Sequence, residues 1–477
     1  MKNTRIKVLA ALVFAGLTSG LFADETPIPN LSSYKLNNGL ELFVAENHAV
    51  PLVYIEIAVR AGGIAQTDET AGLFHLYEHL MFDGNKKYPT PQNIQNEFTN
   101  LGVASYNGST TVDYVNYFFT IPADKLEEGL DFWNYAIRTP IINKTVLEKE
   151  KKVVLQEIKG QMNDVAHKST EILGKTFFKE SPWINNPGGT EESVKNATVK
   201  QLKDIQKQYY IPNNSALFVG GDVNPKQVYD LVNKIYGSWK PGKNPWENKR
   251  TQLNKAPLDS VQKFVIGYDQ LSDQIAITDV YFRGPDAEFD RKDTYLADTL
   301  LFAASDPKSY FKTSLANISS LGIMDSEYCS IGYQTKRRSG LITVEAVMYA
   351  PNQFMPLRGQ IFAEVIADAL KGTLPVDSPL TDRSMQLLHK LMYNENLYEQ
   401  ETFVSLLSTV RFWWACADSD YYYNYNNNIK STTAEDVNDF ISRYIENQNP
   451  LIMILMNPEV LKECKAEFEA AGYEVIE

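Results

Sequence analysis

A chain of 477 residues is too long for one ordinary hydrophobic core and implies two to four domains. With 44% apolar and 22% charged residues it is a folded globular chain rather than a disordered one. A formal net charge of -13 argues against nucleic acid as the main partner, because phosphate binding needs clustered Lys and Arg.

Lys2, Arg5 and Lys7 precede an apolar run from Val8 to Ala23 that is broken by small residues. This pattern reads as a signal peptide over residues 1–23, cleaved after Ala23 or, alternatively, after Gly20. A periplasmic or secreted protein with no stable membrane span after cleavage is expected. The three cysteines, Cys329, Cys416 and Cys464, show neither paired metal spacing nor a disulfide framework, so an exported chain must rely on its core.

The apolar stretch Leu52 to Val59 reads as a strand. It leads through Ala61-Gly62-Gly63 into a helix expected around residues 70–82, with Thr67 or Asp68 able to cap its start. That helix carries His75-Leu76-Tyr77-Glu78-His79. Two His four apart project from one helix face and can reach a single Zn²⁺ at about 2.0–2.1 Å. Glu78 borders the same face without being a ligand, where it can take a proton from water and pass it to a leaving amine.

A catalytic zinc needs a third protein ligand and one open position. The segment Glu148-Lys149-Glu150-Lys151-Lys152-Val153-Val154-Leu155-Gln156-Glu157-Ile158 is a helix candidate, with Val153, Val154, Leu155 and Ile158 as its apolar side. Glu150 and Glu157 are two turns apart and share a face, so Glu157 can be the ligand and Glu150 a group that orients His or water. Spacing alone does not select Glu157 over Glu148 or Glu150.

The halves of the chain read as a diverged tandem repeat. Phe82 matches Phe302, and Leu101-Gly102 matches Leu321-Gly322. Thr198, Leu202, Ile205 and Tyr209 match Thr433, Val437, Phe440 and Tyr444. In both halves a helical pattern runs into an apolar strand, Ala216 to Val219 and Leu451 to Leu455. The expected architecture is α+β: two homologous tandem domains, each a mainly antiparallel sheet flanked by helices. The expected division is a zinc-binding domain at 24–240, a Pro/Gly/Lys linker at 241–258 and a metal-free domain at 259–477. Asp420 to Asn428 is polar and aromatic, and reads either as a loop or partner surface or as a buried helix end.

The HLYEH string, the following Leu80-Met81-Phe82-Asp83-Gly84-Asn85 and the downstream EKEKKVVLQEI resemble the inverted-zincin peptidases of the pitrilysin/insulinase family, which includes the mitochondrial processing peptidases. The resemblance extends to Asn186-Pro187-Gly188-Gly189-Thr190-Glu191 and to the segment from Tyr209 to Val223. It implies a zinc-dependent endopeptidase acting on peptides or unfolded polypeptides. It also implies Glu157 as third ligand and Glu150 as auxiliary acid. Ala104 to Thr111 is similar to the family's edge strand, which pairs with the substrate backbone; Asn107, with Gly108 beside it, matches the residue expected to contact the peptide. On its own, Asn-Gly would suggest a hairpin turn.

Family members that act alone carry an Arg and a Tyr, seven apart, in a later domain. Ala316 and Ile323 stand at those places here, and neither donates a side-chain hydrogen bond. Tyr295, Asp298 and Thr299 replace His75, Glu78 and His79 in the second half. The expectation is a zinc-bearing subunit of a heterodimer whose related, zinc-less partner supplies the Arg/Tyr pair. Arg337, Arg338, Tyr328 and Tyr333 are the alternatives within this chain. A non-catalytic assembly subunit with a structural zinc is the alternative function.

Overall fold

The computed structural model of the chain describes residue 28 and residues 30–161, 164–247 and 256–476. The leader expected over 1–23 and part of the linker expected over 241–258 lie outside the described residues. The first half forms strands β1 (Leu31–Lys35), β2 (Glu41–Glu46), β3 (Leu52–Val59), β4 (Ser105–Thr110), β5 (Val115–Pro122) and β6 (Ser215–Gly221). The second forms β7 (Gln262–Gly267), β8 (Ile275–Arg283), β9 (Cys329–Tyr333), β10 (Leu341–Tyr349), β11 (Leu451–Met456) and β12 (Glu474–Ile476).

These strands make two six-stranded sheets, ordered β1-β2-β6-β3-β5-β4 and β12-β7-β11-β8-β10-β9. Pairing is mainly antiparallel; β2 with β6, β7 with β11 and β7 with β12 are the parallel exceptions. The orders match position for position from β2 and β7 through to β4 and β9, so the sequence repeat is a structural repeat. The outermost strand differs: β1 comes before β2 in the chain, whereas β12 comes last. The chain thus has the α+β architecture of two tandem domains.

The strands are apolar on both faces, and each face meets a different layer. Val53, Ile55, Ile57 and Val59 of β3, with Leu217 and Val219 of β6, face the main core of the first half. The intervening Tyr54 and Ala58, with Ala216 and Phe218, point the other way. That second face is covered by a helix from the other half, Phe403–Cys416, through Leu406, Leu407, Val410 and Trp414. The reciprocal cover comes from the first half. Helix Val165–Phe177 and the following Phe178 and Ile184 lie over Ile266, Leu451, Met453 and Leu455 of the second sheet. Each domain therefore lends one helix to its neighbour.

Polar groups tie the exchange together. Glu56 of β3 is fully buried among these apolar residues. Its carboxylate accepts hydrogen bonds from Tyr54 Oη at 2.8 Å, Asn116 Nδ2 at 2.5 Å and Arg411 Nη1 at 2.7 Å. Arg60, just past β3, stacks over the Trp414 ring at 4.0 Å and donates twice to the Trp414 carbonyl. Arg283, at the end of β8, lies over the Phe178 ring at 5.0 Å, the same arrangement in the other direction.

One alternative left open by the sequence is decided here. Asp420 to Asn428 is helical, within Ser419–Tyr423 and Tyr425–Lys430, and buries Tyr421 and Tyr422, so it is a packed helix end rather than a loop. The three cysteines are all free and buried. A fully buried carboxylate stripped of its cation costs about 3–5 kcal/mol. Replacing Arg411 by Met should therefore lower unfolding free energy by about that much in a denaturant titration.

Candidate metal centre

The helix bearing the motif spans Leu73–Met81 and begins three residues later than its sequence pattern suggests. Thr67 and Asp68 do not cap it, because their side chains are engaged with Glu69 and with Trp183 Nε1. The N-cap is Gly72 in the left-handed region (φ 81°), and its N–H donates to Gln66 Oε1 at 2.6 Å. Gln66 Nε2 donates onward to the carbonyls of Trp183 and Asn186. A Cβ on Gly189 (φ +73°) would lie 2.2 Å from the Gly72 nitrogen, so the Gly-Gly turn is what lets that segment clamp the helix start.

Along this helix Leu73, Phe74, Leu76, Tyr77, Leu80 and Met81 are buried. His75, Glu78 and His79 share the one stripe left partly open. The acidic helix Lys144–Gln161 packs beside it with Leu147, Glu150, Lys151, Val154 and Ile158 buried. Val153, read from sequence as apolar lining, is instead exposed, because the buried stripe follows the phase of Leu147, Val154 and Ile158. That phase carries Glu157 to the two imidazoles and turns Glu148 away to pair with Lys151.

His75 Nε2 and His79 Nε2 lie 3.4 Å apart, and Glu157 Oε2 lies 3.7 Å and 3.6 Å from them. Ligands bound tetrahedrally at about 2.0–2.1 Å are separated by about 3.4 Å, so this triangle has the dimensions of three corners around one zinc. It is the single such cluster of His, Cys and carboxylate ligands among the described residues. Glu150 Oε2 sits 3.3 Å from His79 Nδ1, on the ring edge facing away from the triangle, and fixes that ring. Lys149 Nζ bridges Glu150 Oε1 at 2.9 Å and Asp83 Oδ1 at 2.6 Å.

The balance of charges fits a cation at this point. Glu78, Glu150, Glu157 and Asp83 meet one lysine and two imidazoles. Burial, with His79 nearby, pushes the His75 imidazole down to about 4, which keeps it neutral and ready to donate a lone pair. Burial also opposes charge on His79, but the Glu150 hydrogen bond and the surrounding carboxylates outweigh it and raise the ring. The His79 hydrogen bond, helped by Lys149 against burial, holds Glu150 down to about 2. The donor set of two imidazoles and a carboxylate, open to solvent on the Glu157 side, fits a zinc with a vacant position.

Glu78 is set beside the triangle. Burial raises its carboxyl above the usual range, partly offset by a hydrogen bond from Thr110 Oγ1 at 2.6 Å. Thr110 belongs to β4, the unpaired edge of the first sheet. Asn107 and Gly108 lie inside that strand, opposite Phe118 and Tyr117, and not in a hairpin turn. The turn comes later, where Thr111 N–H donates to the Tyr114 carbonyl. Asn107 is exposed, with Oδ1 accepting from the Gly108 N–H at 3.0 Å. A Cβ on Gly108 would lie 3.2 Å from Glu78 Oε1, so glycine lets the strand pass close to that carboxylate.

Gln66, Asp83 and Thr110 were not singled out in the sequence. Their partners Trp183, Lys149 and Glu78 lie 117, 66 and 32 positions away in the chain. In the second half Tyr295 stacks on Tyr421 at 4.5 Å, Thr299 bonds the Tyr295 carbonyl and Asp298 accepts from Tyr425 Oη. Ala316 ends a helix, and Ile323 is buried in a bridge with Met348. Arg337 donates to the carbonyls of Ala415 and Ala417, Arg338 pairs with Glu288, and Tyr333 donates to the Pro285 carbonyl.

Residues 42–189 match the family model described as insulinase (peptidase family M16), and residues 196–353 match the peptidase M16 inactive domain. A probable zinc protease PqqL of Haemophilus influenzae is 28% identical over 216 residues, covering 43% of this chain and 23% of that protein. The mitochondrial-processing peptidase subunit beta of Dictyostelium discoideum is 24% identical over 230 residues, covering 47% of this chain and 48% of that one. The matched segment thus spans less than half the length of either relative. The crystal structure of the first half of the periplasmic protease PqqL from Escherichia coli shares the fold, with a TM-score of 0.71 at 17% identity over 93% of this chain and 96% of that one.

Zinc titration with elemental analysis should find one equivalent per chain, removable by a chelator. His79→Ala and Glu157→Gln should each lower zinc content at least tenfold, whereas Glu148→Gln should leave it unchanged.

Proposed function

Because the chain belongs to the insulinase family of peptidases, family M16, we propose that it is a zinc-dependent endopeptidase acting on peptides or unfolded polypeptides. The observation that carries this reading is the His75–His79–Glu157 triangle with the Glu78 carboxylate on the same open stripe. His75, His79 and Glu157 are its proposed metal-holding residues. When bound there, zinc supplies Lewis acidity that polarises a peptide carbonyl and makes water more acidic.

The chain's own groups do the rest. The unpaired edge of β4 accepts an extended peptide as an added strand, through backbone hydrogen bonds that make little demand on sequence. Asn107 offers a side-chain amide at that edge, and the bare Gly108 backbone leaves the peptide room beside Glu78. Glu78, its proton affinity raised by burial, takes the proton of the attacking water and returns it to the departing amine nitrogen. Thr110 holds the carboxylate in place, and Glu150 holds the His79 ring.

Support for a partner comes from what the second half lacks. With Ala316 and Ile323 at the Arg and Tyr places, Arg337, Arg338 and Tyr333 tied up in structural contacts, and Tyr328 the one exposed side chain among the four alternatives, a related zinc-less chain is proposed to supply donors for the developing oxyanion. The same gap favours one second reading, an assembly subunit that keeps its metal for stability. A Glu78 positioned by Thr110 speaks for catalysis instead, since a structural site needs no base. We place the protein in the periplasm or outside the cell. The leader-like pattern supports this; among the described residues no helix is long and apolar enough to cross a membrane.

Glu78→Gln should reduce hydrolysis of an unstructured peptide by about 10²–10⁴-fold while zinc content and melting temperature stay near wild type. Equal turnover in the variant would overturn the assignment. The chain alone should cleave slowly and gain activity when a zinc-less relative is co-expressed; full turnover by a monomer would exclude the partner.

A further inference from the structure

The helix Thr381–Glu399 of the second half carries more apolar surface than its own domain covers. It buries a narrow stripe, Met385, Leu388, Met392 and Asn396, and packs against the helices Arg291–Ser305, Tyr425–Lys430 and Ala434–Ile441. The remaining surface is open but not polar. Of the eighteen large apolar side chains exposed among the described residues, eight fall between Val376 and Val404. Leu380 is 63% exposed, Leu387 57%, Leu391 46% and Tyr398 73%. Singly scattered apolar residues are normal on an exterior, whereas a cluster of this kind marks a contact surface.

The spacing says what kind of contact. Leu380, Ser384, Leu387, Leu391, Asn394 and Tyr398 are all exposed and follow one another at alternating steps of four and three residues. That alternation is the seam of a two-stranded coiled coil, and it lies on a different side of the helix from the buried stripe. Lys390 and Glu395 stand on opposite flanks of this seam, where a coiled coil places its charges. Both are exposed, and neither has an ion pair among the described residues. The flanking charges suit an identical helix running in the same direction. A parallel pair sets Lys390 against Glu395 of the second copy, five residues on, and does so twice by symmetry. An antiparallel pair with the same seam sets Lys390 against Lys390.

We propose that this stripe joins two copies of the chain, whose Thr381–Glu399 helices pair in parallel with Leu380, Leu387, Leu391 and Tyr398 in the seam and Lys390 and Glu395 bridging its flanks. Asn394 sets the register, since a slipped pair would put its amide against leucine. The helices are about 28 Å long, nineteen residues at about 1.5 Å each, and a contact of that length is at the small end of stable interfaces. The dimer is therefore reversible and depends on concentration. It is independent of the peptidase reading and of the zinc-less partner proposed above, and it uses a helix that contributes nothing to the metal centre.

The test is analytical ultracentrifugation of the purified full-length chain between about 1 and 200 µM, where a reversible dimer should appear. Leu387→Asp should raise its dissociation constant at least tenfold. Leu387 is exposed in the single chain, so circular dichroism and melting temperature of the monomer should not change. Lys390→Glu and Glu395→Lys should each weaken the dimer a few-fold, and the chain carrying both should regain it. Leu387→Cys should form a disulfide between copies on mild oxidation, because a parallel pair brings that position onto itself, while the native cysteines are buried. A chain monomeric throughout, a dimer indifferent to Leu387→Asp, or charge reversals that do not compensate each other overturns the pairing. So does a Leu387→Cys chain that cross-links only to a Leu391→Cys chain, which would make the helices antiparallel. Cross-linking to a co-expressed zinc-less relative in preference to a second copy overturns it too, and gives the stripe to that partner.

Discussion

The fold depends on covering two sheets that are apolar on both faces. Each domain carries enough helices to cover the inner face of its own sheet, through residues such as Ile55, Ile57 and Val219. The outer face, with Phe43, Tyr54 and Phe218, remains to be shielded from water. Exchange of one helix in each direction satisfies both sheets, and the buried Glu56–Arg411 pair and the Arg60–Trp414 stack fix the register of that exchange. Everything at the metal centre is hung on the frame so made: β4 is its free edge, and the motif helix is buried on every side but one.

At the centre the decisive quantity is charge. Four carboxylates converge there on one lysine and two imidazoles, a set of groups that fits a cation among them. Hydrogen bonds from His79 and Lys149 keep Glu150 ionised, while desolvation leaves Glu78 more willing to accept a proton. Two acids about the same helix are thus pushed in opposite directions by hydrogen bonding in one case and desolvation in the other.

Much of this was legible in the residues and some was not. The Leu52–Val59 strand and the tandem repeat could be read because they are local or recur. The spacing of His75, Glu78 and His79 could be read because helix periodicity fixes which side chains share a face. The choice among Glu148, Glu150 and Glu157 was open on spacing, since it turns on how the helix is rotated against Leu147, Val154 and Ile158. The sequence pattern put Val153 in the core by counting apolar residues, and rotation put it in solvent. The start of the motif helix was misjudged because Gln66 and Gly189, not a neighbouring Thr or Asp, define it. The Glu56–Arg411 contact spans 355 positions and has no local signature at all.

The swapped helices also bear on how the molecule can be divided or moved. A fragment ending between the halves would keep the metal motif yet lose Leu406, Leu407, Val410 and Trp414 from above its sheet. It would present Phe43, Ala58 and Phe218 as a bare greasy plane with an orphaned glutamate at its middle, a surface that invites self-association. For the same reason the two domains are clasped together, and parting them would bare the outer faces of both sheets to water at once.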